Sequence, residues 1–245
     1  MHAAWTMTRT EVKLFLREPM AVFFTLVFPL MMLFLFGSIF GNEPDPTLGG
    51  RGSVDVSVPG YMAVIIGTAG LVGLPINLAS YRAQGVLRRL RATPVRPGVV
   101  LVAQLAVSLL FATVGSLLLV VAGRIFFGLH LPSATAQVVV TFLASAASIF
   151  ALGFVLASVL PNARTAQAVG MTVLFPMMFL SGAALPRALL SERIQDVAQA
   201  LPLTHVVSLL DQAWAGGGWN VSALVVLAGV LMAGVVISSR YFRWE

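Results

Sequence analysis

Cysteine is absent from the 245 residues. That removes disulfides, thiolate metal sites and a thiol nucleophile. Lysine occurs once, at Lys13, with no glycine before it. The phosphate-cradling loop G-x-x-x-x-G-K-[ST] therefore cannot be built, and the chain is not expected to hydrolyse a nucleotide itself. Histidine is confined to His2, His130 and His205, all outside the apolar runs, so no haem or metal pair is expected. Charge is the scarcest commodity. Only 10% of residues are charged, against about 25% in a soluble domain. No acid or lysine stands in the middle of an apolar run. Ion-coupled carriers and charge-lined channels need such groups inside the membrane. If this chain moves something, the energy must arrive from outside its spans.

What is present is grease. Hydrophobic residues make up 58% of the chain, and apolar runs of 18 or more residues recur, as in a helical integral membrane protein. The expected architecture is all-α: one membrane domain over residues 1–245 with six transmembrane helices at about 20–40, 59–79, 98–123, 134–160, 165–184 and 221–239. Pro59 is read as the start of the second span, and Gly67, Gly70 and Gly73 give that span a smooth ridge. The fourth is crowded with small residues, among them Ala144, Ser145, Ser148, Ala151 and Gly153, which let membrane helices approach closely. Residues 185–220 are too polar to span, yet 198–210 is apolar; one or two short external re-entrant helices are expected there. Ser181-Gly182, with His205 beyond, is read as a packing pair at a helix end rather than as a protease site.

Six spans put both termini on one side. With Arg9, Lys13, Arg17, Arg82, Arg88, Arg89, Arg91, Arg96, Arg164, Arg240 and Arg243 on that side against Glu11, Glu18 and Glu245, its net charge is +8. The other side holds Arg51, Arg124, Arg187 and Arg193 against six acids, a net of −2. The positive-inside rule then places both termini in the cytoplasm. It also accounts for the formal charge of +6 without nucleic acid. The N-terminus is not expected to be a cleaved signal, because its apolar run is too long and no A-x-A site follows. Residues 4–18 carry a basic stripe, Arg9, Lys13 and Arg17, beside an arc of Trp5, Val12, Phe15 and Leu16. They read as an interfacial helix lying on anionic lipid.

The most charged stretch is 80–97, SYRAQGVLRRLRATPVRP, between two apolar runs. Ala83, Val86, Leu87 and Leu90 fall on one helical face, with Arg82, Arg88, Arg89 and Arg91 off it. Thr93-Pro94 and Arg96-Pro97 stop the helix. Gly85 weakens a helix by about 1 kcal/mol relative to alanine, so its presence suggests close backbone approach. A short basic helix of this kind is either a lipid-surface anchor or a docking piece for a soluble partner.

Three stretches together resemble the membrane subunits of ABC-2-type exporters, the group that includes daunorubicin-exporter-like drug-resistance permeases. RTEVKLFLREPMAVFFTLVFPLMMLFLFGSIFG resembles the surface helix and first span. YRAQGVLRRLRATPVRP resembles the cytoplasmic coupling loop. FPMMFLSGAALPRALL followed by ALPLTHVVSLL resembles the fifth span and external re-entrant region. The sequence departs from the family where Ala83 and Val86 replace an acid and a threonine, and where Leu209-Leu210-Asp211-Gln212 replaces a run with an arginine.

The resemblance implies a permease half, paired with a second half (another copy or a similar chain) and with ABC ATPase subunits. It implies that ATP and Mg are used by that partner, with no cofactor bound by this chain. Contact with the ATPase would fall on the coupling segment: Arg82, Ala83, Gln84, Gly85, Val86, Leu87, Arg88, Arg89, Leu90 and Arg91. The substrate path between the halves would be lined by Asn77 in the second span and by Phe175, Met178 and Ser181 in the fifth. The implied function is export of a hydrophobic drug, natural product or lipid-like compound across the bacterial cytoplasmic membrane. Export of a lipid-linked glycan or polymer, or a non-transporting scaffold or immunity role, are the alternatives.

Overall fold

The computed structural model describes Val12 and residues 22–85, 98–184 and 191–241. The expected interfacial helix at 4–18 lies outside these residues, Val12 apart, as do 86–97 and 185–190. Among the described residues there is no strand, only an isolated bridge between Asp45 and Arg51.

The first long helix, α1 (Phe28–Phe40), is entered through a wide π-type turn, Phe23–Val27. Next comes a helical rod in three parts: α2 (Ser53–Gly67), a second π-type stretch (Thr68–Gly73) and α3 (Leu74–Ala83). Then follow α4 (Gly98–Phe127), α5 (Thr135–Val159), α6 (Ala163–Leu180), the short α7 (Glu192–Ala198), α8 (Pro202–Trp214) and α9 (Val221–Tyr241). Five of these rods are long and apolar enough to cross a membrane: Phe23–Phe40, Ser53–Ala83, Val99–Phe127, Thr135–Val159 and Val221–Arg240. The protein is an all-α integral membrane protein. The sixth rod, α6, has 18 residues and opens with Arg164, Thr165 and Gln167, which dilute its apolar character.

The rod Ser53–Ala83 is the axis of the molecule. Of its most apolar stretch 83% is enclosed, against 22% for Phe23–Phe40 and 17% for Val221–Arg240, which lie at the periphery. It begins at Ser53 rather than at Pro59. Val54, Asp55 and Val58 are buried, so tertiary contacts hold the turn ahead of the proline in helical form. At the other end of α4 the helix runs past Gly123 to Phe127, where the ring packs over Gly37 of α1.

In lipid, helix association rests on close packing rather than on expulsion of water. The closest approach lies along the π-type stretch. A methyl group on Gly153 of α5 would sit 2.1 Å from the Gly70 carbonyl oxygen, and one on Gly170 of α6 would sit 2.5 Å from that of Leu71. Both carbonyls precede Pro75, which has no N–H to offer the turn behind it. Two glycines thus bring Cα–H groups against backbone carbonyls in the stretch where Pro75 leaves one carbonyl short of a donor, contacts worth about 0.5–1 kcal/mol each. The glycine ridge of the second span and the small residues of the fourth meet here, as their spacing suggests.

Among the described residues the segment after α6 contains two helices, α7 and α8. The 13 residues of α8 span about 20 Å at 1.5 Å per residue, too short to cross a core about 30 Å thick. Leu203, Val206, Leu209, Leu210 and Ala213 are nevertheless buried, and α8 packs against α2, α5 and α9.

Candidate functional site: the two polar ends of the bundle

Among the described residues the charged groups of the long rods gather at their two ends. At one end, Asp55 in the first turn of α2 is 6% exposed and accepts three hydrogen bonds. The donors are Asn42 Nδ2 at 3.2 Å, the His130 amide at 2.9 Å and His130 Nδ1 at 2.8 Å. A carboxylate only accepts, so Nδ1 of His130 carries the hydrogen. Asn42 Oδ1 in turn accepts the Asp55 amide at 3.0 Å. The Trp214 indole at the end of α8 donates to the His130 carbonyl at 3.1 Å. Arg124 near the end of α4 donates to the Leu129 carbonyl at 2.9 Å.

The loop between α1 and α2 is tied to the same cap. Asp45 Oδ1 accepts from the Thr47 amide at 2.8 Å and the Thr47 hydroxyl at 2.7 Å, which hold its carboxyl below the usual carboxylate range. Arg51 then makes a two-pronged pair with Asp211 of α8, at 2.8 and 3.2 Å. The charge of Asp211 is thus answered from the loop. This pair lines a cavity of about 460 Å³ with Thr47, Ser208, Gln212 and Asn220. Several of its polar side chains are already bonded within the chain: Gln212 to the Gly217 carbonyl, Ser208 to that of His205. The loops that the charge division assigns to one side therefore meet at one end.

The opposite end holds the start of the expected coupling segment. Arg82, in the last turn of α3, donates through Nη2 to the Ala157 carbonyl at the end of α5. α3 stops at Ala83. Gly85 has φ +66°, and its amide reaches back to the Arg82 carbonyl at 3.0 Å. Nothing lies within 4 Å of a methyl group built on it. Gly85 thus takes the left-handed conformation that ends the helix, with no close neighbour among the described residues, and the helical face expected to run through Ala83 is interrupted after it. Arg82, Ala83, Gln84 and Gly85 are described; Val86, Leu87, Arg88, Arg89, Leu90 and Arg91 lie outside the described residues.

The four expected path residues are not brought to one surface within the chain. Asn77 is half-buried and donates to Gln104 Oε1 at 3.4 Å. Met178 is 3% exposed and Ser181 is fully buried. Phe175 is open, beside the exposed Val173 and Phe179 of α6. Ser181 Oγ donates to the Met178 carbonyl and accepts from the Ala183 amide, while His205 Nε2 contacts the Gln199 carbonyl. Each finds a local partner, as a packing role requires. Among the described residues no group of three His, Asp or Glu could hold a metal ion.

Sequence reading missed Arg82–Ala157, Arg51–Asp211 and the Asp55–His130 pair. Only the first left a signal. Pro161 stands four residues after Ala157, so that carbonyl has no donor one turn on.

Among the described residues the long apolar helices are uncharged in their middles, carry their charge at their ends and enclose a buried helix too short to cross, the arrangement of an all-α integral membrane protein. The model of the ABC-2 type transporter family matches residues 2–213. The chain belongs to that family and is the membrane-spanning permease component of an ABC transporter. Members of the family generally work as paired membrane domains with an ABC ATPase. No curated protein matches the chain.

Proposed function

We propose that this chain is one membrane half of an ATP-driven exporter. It pairs with a second copy or a similar permease and carries a hydrophobic drug, natural product or lipid-like compound out of the cytoplasm or the inner leaflet. The supporting observation is the distribution of charge. Asp55, Arg82, Arg124, Arg164 and Arg240 all stand in the end turns of their helices, and the middles of the rods carry none. A driving ion has no ionisable relay to use, so the work must be supplied by a separate ATPase that binds ATP and Mg.

That ATPase docks on the segment from Arg82 to Arg91 at the cytoplasmic end. The chain lies in a bacterial cytoplasmic membrane with both termini inside, α6 completes a set of six spans, and the cap with α7 and α8 faces out. The substrate path is the open face of α6 around Phe175, with Met178 and Ser181 supporting it from behind and Asn77 on the adjacent rod. Met177, Met178 and Phe179 suit varied greasy cargo, because thioethers and aromatic rings adapt to many shapes.

The test is reconstitution of the chain with its co-purifying ATPase in proteoliposomes. ATP-dependent movement of an amphiphilic dye, competed by apolar drugs, is the expected result. Movement of lipid-linked glycan alone would replace the cargo, and no ATP-dependent movement with a bound ATPase would overturn the exporter reading.

A further inference from the structure

Arg82 sits in the segment read above as the ATPase dock, and the inference drawn here rests on that reading. Its side chain, however, is half-buried and turned into the protein. The carbonyl it reaches, that of Ala157, belongs to the last turn of α5. In a continuing helix this oxygen would accept the amide four residues on. That residue is Pro161, which has no N–H, and the Leu160 amide is already taken by Leu156. The Arg82 guanidinium supplies the missing donor and places a positive charge at the negative end of the α5 dipole. Only Leu160, Pro161 and Asn162 separate this point from the start of α6, where Asn162 Oδ1 caps the Thr165 amide at 2.9 Å.

We infer that Arg82 is a positioning residue. It ties the coupling segment to the α5–α6 corner, so that a displacement imposed by the ATPase on the turn at Gln84 and Gly85 is carried to α6 and its open Phe175 face. Its partner is this corner of its own chain, not the ATPase.

The inference is tested on the intact permease–ATPase complex in proteoliposomes, with export and ATP turnover measured together. Arg82→Ala should lower export per ATP hydrolysed by about fivefold or more, the lower end of ordinary coupling between sites, while the ATPase still co-purifies in full. Arg82→Lys, which keeps a charged donor, should recover most of the loss. Pro161→Ala separates a tie from a mere hydrogen bond. Combined with Arg82→Ala it offers the Ala157 carbonyl a new amide, and it should restore thermal stability but not export per ATP. Because the chain has no cysteine, spin labels at Gln84→Cys and Val159→Cys report the tie directly. Their separation should be narrowly distributed with Arg82 present and broad in Arg82→Ala.

Wild-type coupling in Arg82→Ala, recovery of coupling by Pro161→Ala, or an unchanged label distribution would each overturn the inference. Loss of the ATPase from Arg82→Ala would overturn it too, by making Arg82 a docking contact, while leaving the docking segment itself in place. If the segment does not bind the ATPase at all, Leu87→Asp will keep the full complement of ATPase, and that outcome marks failure of the underlying reading.

Discussion

Asp55 and Arg51 belong to the same cap but do not carry equal weight. Asp55 is buried and accepts from three donors, so removing it strands the His130 amide and the Asn42 side chain. These bonds are part-buried, and a hydrogen bond to a charged group contributes about 1.5–3 kcal/mol. Arg51 and Asp211 keep side-chain exposures of 30% and 33%, and exposed pairs of this kind contribute about 0–1 kcal/mol. Asp55→Ala should therefore lower the thermal midpoint in detergent clearly, and Arg51→Ala should barely move it. Equal shifts in a melting assay would refute this ranking. Neither pairing was legible in the sequence. Asp55 and His130 stand 75 positions apart and Arg51 and Asp211 stand 160 apart, and only the folded bundle brings them together. That they share one end of the bundle was legible, because the loop assignment puts all four on one side.

At the scale of elements, the small residues carry the packing. A methyl group on Gly153 would meet the Gly70 carbonyl at 2.1 Å, backbone against backbone, with no flexible side chain to yield. Overpacking of this kind typically costs about 1–3 kcal/mol. Gly153→Ala should destabilise the protein by that order and depress export, whereas Gly229→Ala, where nothing lies within 4 Å, should be neutral in the same thermal and export assays. Gly85 is instructive. Its cost in a helix suggested a tight contact, but one residue cannot reveal whether glycine is wanted for space or for a positive φ. The structure shows the latter. Gly85→Ala should thus strain the turn that starts the coupling segment and lower export without affecting membrane insertion; equal export by Gly85→Ala and wild type would show that the turn is dispensable. The start of the second span was misread for a related reason. Pro59 looks like a helix start, but buried contacts of Val54 and Val58 carry the helix back to Ser53.

For the whole molecule, hydrophobic runs and loop charge were enough to reach the membrane class, because hydrocarbon tolerates so few backbone solutions. The run of α8 shows the limit of that logic: one face is buried like that of a span, while its 13 residues and its polar positions His205, Asp211 and Gln212 say that it stops short. The proposed orientation has a direct check. Tags at residues 2, 92 and 245 should report the cytoplasm, and tags at 48 and 190 the outside; a cytoplasmic signal at 190 would remove α6 from the set of spans.

The central claim is that a separate ATPase drives this permease through the segment that α3 leads into. Leu87 lies on the apolar face that the sequence pattern gives this segment, and a carboxylate placed on a docked apolar face is strongly unfavourable. The deciding measurement is ATP-dependent export by the reconstituted complex carrying Leu87→Asp, with membrane insertion verified beside it. The account predicts normal insertion, with the ATPase lost or idling and export abolished. Full export by Leu87→Asp would contradict it.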